Sequence, residues 1–206
     1  MLKQFQSLIY KIPIIFILLI SHLCCVDAGA YESPSLTNSR IVMLGDSITN
    51  RCDWSELLLR KDVINQGIGG DTTAGLLNRI NQIISLKPEK VFLMIGTNDL
   101  GEGIPVSDTL SNYQKIITKL LAANIEVFVQ STLYVGRKSS MERNLKIKEL
   151  NDGLKIYCKY YGVKFIDLNI TLAPDGLLLD EYSEDGVHLT GAAYLKWKDI
   201  IIPFLP

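Results

Sequence analysis

Short apolar runs rich in β-branched residues alternate along the chain with longer stretches in which apolar positions recur at helical spacing. The short runs show little polar alternation, which is typical of parallel strands covered by helices on both faces. They predict five strands, at residues 40–44, 63–66, 91–95, 127–130 and 163–167. The longer stretches predict helices at residues 54–60, 73–86, 106–123, 141–161 and 191–202. Strands that alternate with helices predict an α/β fold, with one doubly wound parallel sheet in one domain.

The first thirty residues have a different pattern. Lys3 and Lys11 precede the apolar run 12–20, and small residues follow up to Ala30. Charged, apolar and small-residue regions in this order predict a signal peptide over residues 1–30, cleaved after Ala30, and a single domain over 31–206. The run is shorter than the about 20 apolar residues of a membrane-spanning helix. We therefore expect an exported protein, periplasmic or secreted, with an uncleaved membrane anchor as the alternative.

Composition excludes some partners. The 206 residues include 21 Lys and Arg and 22 Asp and Glu, and 48% are hydrophobic, which fits a globular domain with a sizeable core. A nearly neutral domain has no electrostatic basis for binding nucleic acid. The chain gives no indication of an oligomeric state, and we expect membrane association only through an uncleaved leader.

Two cysteines follow the predicted leader, Cys52 and Cys158. Cys52 comes soon after the first strand, whereas Cys158 lies near the end of a helix antiparallel to the strands. With a rise of about 1.5 Å per residue, that helix carries Cys158 to the opposite edge of the sheet. Bridged cysteines need Cα atoms within about 7 Å of each other. We therefore predict two free thiols.

Polar and glycine-rich segments follow the predicted strands, where the carboxyl ends of a parallel sheet collect functional groups. They are residues 45–49, 65–72 and 96–99 after the first three strands, and 185–188 after the fifth. The last of these ends two residues before Thr190, a residue type that begins helices by capping. All four segments are expected at one edge of the sheet.

These segments supply the groups of a nucleophilic site. A serine hydroxyl is a weak nucleophile unless a base takes its proton, and a carboxylate orients that base. Ser47, His188 and Asp185 can fill these roles, and His188 is the only histidine outside the predicted leader. The backbone N–H groups of Ser47 and Gly70 and the amide of Asn98 can stabilise an oxyanion. Gly70 suits its role because a residue without Cβ allows close approach.

With these residues in order, the chain resembles the SGNH hydrolases, also called the GDSL esterase and lipase family. The four segments match the family's motifs and cover essentially the whole mature domain. The resemblance implies that Ser47 is the nucleophile, that Gly70 and Asn98 complete the oxyanion hole, and that Asp185 and His188 close the triad. It also implies a three-layer αβα, flavodoxin-like fold with a five-stranded sheet of order 2-1-3-4-5.

Details around the motifs refine this resemblance. The only departure from the family's motifs is Ile48, where leucine is frequent. Residues 67–73 are similar to the platelet-activating-factor acetylhydrolase-like and lysophospholipase/thioesterase branches. The ordinary α/β-hydrolases share the order of the triad, but Ser47 lacks their G-x-S-x-G elbow.

Each candidate residue also has a structural alternative. Ser47 alone fits a helix cap, and Asn98 alone fits a turn. His188 alone fits a structural histidine or a metal site shared with a carboxylate, from Asp46, Asp71 or Asp185. One histidine without a second ligand at metal spacing argues against a metal, so we expect no metal and no cofactor. We assign Asp46, Asp71 and Thr72 to the scaffold, with Asp46 organising its loop through local backbone hydrogen bonds.

Two other function classes fit parts of the sequence. The glycine loop 67–70 resembles phosphate-binding loops, but it lacks the lysine of a P-loop and the spacing of a dinucleotide fingerprint. A non-catalytic binding module on the same scaffold remains the alternative of another class.

The expected activity is therefore a serine ester hydrolase that cleaves a small-molecule or lipid ester through an acyl-enzyme intermediate. Lysophospholipase or short-chain acyl esterase is the leading expectation, and carbohydrate O-acetylesterase is the alternative. Residues 100–106 and 131–140 are candidate pocket walls. Their apolar members, which fit an acyl site or the core equally well, are Leu100, Ile104, Leu133, Tyr134 and Val135. Arg137 and Lys138 fit an anionic head group or a solvated turn.

Overall fold

The computed structural model describes residues 41–139 and 141–205. In this part of the chain, five strands form a single sheet in which every neighbouring pair is parallel. They are β1 (Ile41–Gly45), β2 (Val63–Gly67), β3 (Lys90–Met94), β4 (Glu126–Gln130) and β5 (Lys164–Ile166). Their order is β2-β1-β3-β4-β5. The expected sheet and its strand order are confirmed, with ends that differ by at most one residue.

The same residues form helices of two length classes. In chain order they are α1 (Ser47–Asn50), α2 (Trp54–Leu57), α3 (Thr73–Ser85), α4 (Thr97–Gly101), α5 (Val106–Ala122), α6 (Met141–Tyr161), α7 (Asn169–Leu172) and α8 (Gly191–Ile201). Short 3₁₀ turns occupy Asp180–Tyr182 and Ile202–Phe204. The four long helices lie where the sequence predicts them, to within one residue at each end.

The predicted helix 54–60 is wrong at its carboxyl end, since α2 ends at Leu57. Leu59 has a φ of 53°, in the left-handed region. A residue in this conformation cannot continue a right-handed helix. The chain therefore turns out of α2 and enters β2.

Two hydrophobic clusters cover the two faces of the sheet, because successive strand residues point to opposite faces. Val42 and Leu44 of β1 belong to the cluster that contains the buried residues of α3, α5 and α6. Ile41 and Met43 belong to the other cluster, with buried residues of α2, α7 and α8. The fold is therefore a three-layer αβα sandwich, which confirms the expected class.

Cys52 and Cys158 are free, as predicted, and both are buried. They belong to different clusters, so the sheet separates them. Burial, aided by Asp53, raises the pKa of Cys52 to about 12. Burial raises the pKa of Cys158 to about 11.

The predicted signal peptide, residues 1–30, lies outside the described residues, and its boundary with the domain 31–206 stays a prediction. Searching the described residues for membrane spans finds no helix with the length and apolar character to cross a bilayer.

Candidate active site

Ser47, His188 and Asp185 form one continuous line of hydrogen bonds at the carboxyl edge of the sheet. Ser47 is the first residue of α1, directly after β1, and its Oγ lies 3.0 Å from His188 Nε2. His188 Nδ1 lies 2.6 Å from Asp185 Oδ2. A carboxylate oxygen accepts, so the imidazole carries its proton on Nδ1 and leaves Nε2 to accept from the serine hydroxyl. The structure thus brings together the three residues predicted as nucleophile, base and orienting acid.

The Asp185 carboxylate is held by the backbone of its own loop. Its Oδ1 accepts from the backbone N–H groups of His188 at 2.7 Å and Val187 at 2.8 Å. Desolvation acts to raise the pKa of Asp185, but the hydrogen bonds from the His188 side chain and from the two N–H groups outweigh it. The pKa of Asp185 therefore lies well below its usual range, and the group meets His188 as a carboxylate.

Contacts from three sides fix helix α1. Asp46 caps it, with Oδ1 accepting from the Ile48 N–H at 2.9 Å. The Tyr194 hydroxyl of α8 donates to the Ile48 carbonyl at 2.6 Å. The indole of Trp54 donates to the Thr49 carbonyl at 2.9 Å. Because α8 begins shortly after His188, these contacts set the helix of the serine against the segment of the histidine.

The candidate oxyanion donors come from the next two strands of the sheet. Asn98 lies in α4, after β3, and its amide nitrogen donates to the Asp71 carbonyl at 2.8 Å. A carboxamide has two N–H groups, so one remains for another acceptor. Gly70 has a φ of 74°, and apart from its neighbours in the chain no described residue has an atom within 4 Å of the position that a Cβ would take. The structure places Asn98 against the loop of Gly70, while the Ser47 N–H lies in the first helical turn, where helices lack internal acceptors.

Asp46 is almost completely buried, with 1% of its surface exposed. Burial raises its pKa to about 7, and the nearby carboxylates of Asp71 and Asp99 act in the same direction. Among the described residues its Oδ2 has no hydrogen-bond partner. The expectation that Asp46 organises its loop through a local backbone hydrogen bond is confirmed by its contact with Ile48.

Two of the three carboxylates considered as metal ligands are paired with other side chains. Asp71 pairs with Arg79, and Asp185 pairs with His188. Within residues 41–139 and 141–205, no group of three or more His, Cys, Asp and Glu side chains is arranged to hold a metal ion.

The expected pocket walls need correction. Leu100, Leu133 and Val135 are 3%, 1% and 1% exposed and belong to the two core clusters, so they do not line an acyl site. Ile104 and Tyr134 are half-buried. The two exposed basic side chains of these segments both have partners. Arg137 lies 3.8 Å from Asp180, and Lys138 donates to the Glu184 carbonyl at 2.5 Å.

Side-chain amides hold the segment after β4. The Asn151 side chain accepts from the N–H of Thr132 and donates to its carbonyl. The Asn144 side chain makes the same two bonds with the backbone of Val135. Asn169 also donates to the carbonyl of Thr132, at 2.9 Å. These side-chain bonds pair backbone groups that a neighbouring strand would otherwise pair. The apolar side chains of Leu133 and Val135 point into the core.

Arg79 and Tyr194 were missed by the sequence reasoning. Arg79 binds Asp71 and two backbone carbonyls at the edge of the site. The sequence does contain a signal for Arg79, because position 79 lies on the face of α3 that buries Leu76 and Ile83. A charged residue on such a face is unusual. Tyr194 carried no such signal, because an aromatic residue on a buried helix face is ordinary core.

Residues 43–196 match the model of the GDSL-like lipase/acylhydrolase family. The N-acylneuraminate cytidylyltransferase of Streptococcus agalactiae serotype V is 29% identical over 129 residues, which are 63% of this chain and 31% of that protein. The chain thus spans about a third of the length of that relative. The platelet-activating factor acetylhydrolase IB subunit alpha2 of Gallus gallus is 27% identical over 169 residues, covering 76% of this chain and 71% of its own. The crystal structure of a GDSL-like lipase from Bacteroides thetaiotaomicron superposes with a TM-score of 0.72 at 26% identity, covering 81% of this chain and 87% of its own.

Proposed function

Because the chain belongs to the GDSL-like lipase/acylhydrolase family, we propose that it hydrolyses carboxylic esters through an acyl-enzyme intermediate on Ser47. The observation that carries this proposal is the line of hydrogen bonds from Ser47 Oγ through the imidazole of His188 to Asp185. It gives a serine hydroxyl a base within reach, and it gives that base an orienting carboxylate.

The residues take the following roles in the proposed reaction. Ser47 Oγ attacks the ester carbonyl while His188 Nε2 accepts its proton, and Asp185 stabilises the resulting imidazolium. Collapse of the tetrahedral intermediate breaks the bond to the alcohol, which takes the proton from His188. A water molecule then attacks the acyl-serine ester by the same route, which releases the acid and restores Ser47.

The proposed oxyanion hole serves both tetrahedral intermediates. Its donors are the N–H groups of Ser47 and Gly70 and the free N–H of the Asn98 amide. Donors already aimed at the position of the developing charge need no reorganisation during reaction. The bond from Asn98 to the Asp71 carbonyl ties α4 to the loop of Gly70, and the Ser47 N–H lies at the start of α1, which supports this role.

For the substrate, we propose a lysophospholipid or another ester with a short or single acyl chain. The chicken relative is named an acetylhydrolase, which supports a small acyl group. Ile68, in the glycine loop, is 47% exposed and offers an apolar contact beside Gly70. An acetylated sugar presents the same acyl group on a different alcohol and is the competing substrate in the test below.

We also propose that the protein is exported. The support is the order of charged, apolar and small residues over positions 1–30. Amino-terminal sequencing of the protein recovered from its native host should begin at Tyr31. A start at Met1 on membrane-bound protein would instead favour an uncleaved anchor.

A chain-length series of p-nitrophenyl esters, run beside a lysophospholipid and acetylated sugars, tests the proposed function. Ser47→Ala and His188→Ala should each lower kcat by about 10³-fold or more, since the reacting groups act as a unit. Ser107→Ala, at an exposed serine of α5, is the matched control and should keep full activity. Full activity in Ser47→Ala would refute the assignment of the nucleophile. Preference for acetylated sugars would change the proposed substrate from a lysophospholipid or short-chain ester to a carbohydrate acetyl ester.

A serine-directed fluorophosphonate separates hydrolase from binding module. We expect stoichiometric labelling of the wild type, with the added mass on Ser47, and none of Ser47→Ala. A folded wild type that takes up no label and turns over no ester would favour a non-catalytic scaffold.

A further inference from the structure

Arg79 joins three separate segments at the edge of the proposed active site. Its Nε donates to Asp71 Oδ2 at 2.8 Å. Its Nη2 donates to the backbone carbonyls of Gly45 at 3.2 Å and Gln66 at 3.0 Å. These carbonyls lie at the carboxyl ends of β1 and β2, so one guanidinium connects both strands to the loop that contains Gly70.

The Arg79–Asp71 pair is largely removed from solvent, with side chains 11% and 8% exposed. Helix α3 makes room for it at Gly75, since a Cβ there would lie 2.1 Å from Asp71 Oδ1. A buried ion pair stabilises a protein only when further hydrogen bonds satisfy its polar atoms. Here the carbonyls of Gly45 and Gln66 accept hydrogen bonds from the guanidinium in addition to the ion pair. The loop that contains Asp71 is therefore held in one conformation.

Asp71 transmits this constraint to the oxyanion donors. Its carboxylate is held by Arg79, and its backbone carbonyl accepts from the Asn98 amide at 2.8 Å. Gly70 is its immediate neighbour in the chain. The position of one residue therefore sets two of the three proposed donors, and the Gly45 carbonyl bound by the same guanidinium lies two residues before Ser47, the third.

We propose that Arg79 is a positioning residue for the oxyanion hole, which it aligns through Asp71 without contacting the substrate. The inference rests on the proposed ester hydrolysis. Arginine is required here rather than a cation in general, because its planar fork presents several donors in fixed directions. Lysine carries the same charge but cannot hold a carboxylate and two carbonyls in this arrangement.

Arg79→Lys and Asp71→Asn test the proposal with p-nitrophenyl acetate as the substrate. An oxyanion forms only after binding, so we expect kcat to fall by about tenfold to a hundredfold while KM changes by less than about twofold. The matched control is Arg60→Lys. Arg60 binds Asp62 at 2.9 and 2.7 Å, and the pair lies just before β2, at the opposite edge of the sheet.

A second measurement separates positioning from a general loss of structure. When Asn98 is first replaced by alanine, one of the donors that Arg79 positions is absent. The fall in kcat caused by Arg79→Lys should then be at least about threefold smaller than in the wild type, as expected for coupled residues. Equal falls in both backgrounds would overturn the proposal.

The melting temperature of each variant is measured beside its kinetics. If Arg79→Lys does not fold, Asp71→Asn carries the test, because it leaves Arg79 bound to both carbonyls. Folded variants that keep the kcat of the wild type would overturn the positioning role of Arg79 but not the proposed ester hydrolysis. A wild type without ester turnover would instead refute the proposed function.

Discussion

The hydroxyl of Tyr194 donates a 2.6 Å hydrogen bond to the backbone carbonyl of Ile48. Tyr194 lies on α8, whose first residue is Gly191, and Ile48 follows Ser47 on α1. Burial raises the pKa of the phenol, with smaller contributions from nearby charged groups, so the hydroxyl keeps its proton and remains a donor. The bond therefore connects the helix after His188 to the helix that carries Ser47.

Tyr194→Phe should reveal the value of this bond. The substitution keeps the ring against Trp54 and Trp197 but leaves the Ile48 carbonyl without its donor. The free energy of unfolding should fall by about 1–3 kcal/mol, the cost of an unsatisfied buried group. Urea titration measures it, and kcat should fall with it, because α1 is less well fixed. Tyr160→Phe, at a side chain that is 81% exposed, should change neither quantity, and equal effects at both positions would refute this explanation.

Asp46 should make stability depend on pH. Its pKa is raised from 3.8 to about 7, above that of the unfolded chain, so the folded protein binds more protons than the unfolded chain between these values. The free energy of unfolding therefore falls as pH rises across this window. Relative to Asp46→Asn, whose amide oxygen still accepts from Ile48, the wild type should lose on the order of 2–4 kcal/mol between pH 4 and pH 8.

Urea titrations of both proteins across this range measure that difference, and Asp53→Asn is a control of opposite sign. Hydrogen bonds from Glu56 and Ser55 lower the pKa of Asp53, so its contribution to stability is lost as pH falls. A difference between wild type and Asp46→Asn that stays constant with pH would contradict the prediction.

Two glycines, one at the end of β2 and one in the loop that follows it, should respond differently to alanine. A Cβ at Gly67 would lie 2.3 Å from the backbone nitrogen of Asn50, so α1 would have to move. At Gly69, no described residue other than its neighbours in the chain has an atom within 4 Å of that position. We expect Gly67→Ala to lower the free energy of unfolding by about 1–3 kcal/mol or more and to lower kcat. Gly69→Ala should stay within about 0.5 kcal/mol of the wild type. Thermal melts and ester kinetics compare the two, and equal stability would contradict the steric argument.

The two buried thiols should be protected in the folded protein. Thiolate is the reactive form of cysteine, and the pKa values of Cys52 and Cys158 are raised to about 12 and about 11. With iodoacetamide at pH 8, the processed native protein should react slowly, whereas the denatured protein should add two labels without reductant. Intact mass measures both. Failure to label after denaturation would indicate a disulfide, and rapid labelling of native protein would indicate that the thiols are accessible.

The sequence predicts the long elements well and the short ones poorly. Helix α6 carries apolar residues at helical spacing from Ile147 through Leu150 and Leu154 to Cys158, and its predicted limits coincide with Met141–Tyr161. Helices α1 and α4 are only four and five residues long, too short for a periodic pattern. The start of α1 is set instead by the Asp46 cap, and the start of α4 follows a left-handed turn at Gly96.

The candidate site is predictable as far as residue types and strand ends determine it. The approach of His188 to Ser47 follows from their places at one edge of the sheet. The bonds of Arg79 do not, because its carbonyl acceptor at Gly45 lies 34 residues away and any backbone carbonyl can accept. The same difficulty affects Leu133 and Val135, since an apolar residue in a loop fits the core as readily as a pocket wall.

The asparagine bonds along residues 131–135 have a consequence for protein engineering. Asn144 and Asn151 fix the backbone of this segment through their own side chains, independently of the side chains that the segment carries. Tyr134 is half-buried among fully buried neighbours, and its N–H is bound by Asn169. The segment is therefore a suitable place for a library of substitutions at a single position, in which a new side chain changes the local surface while the main chain keeps its course.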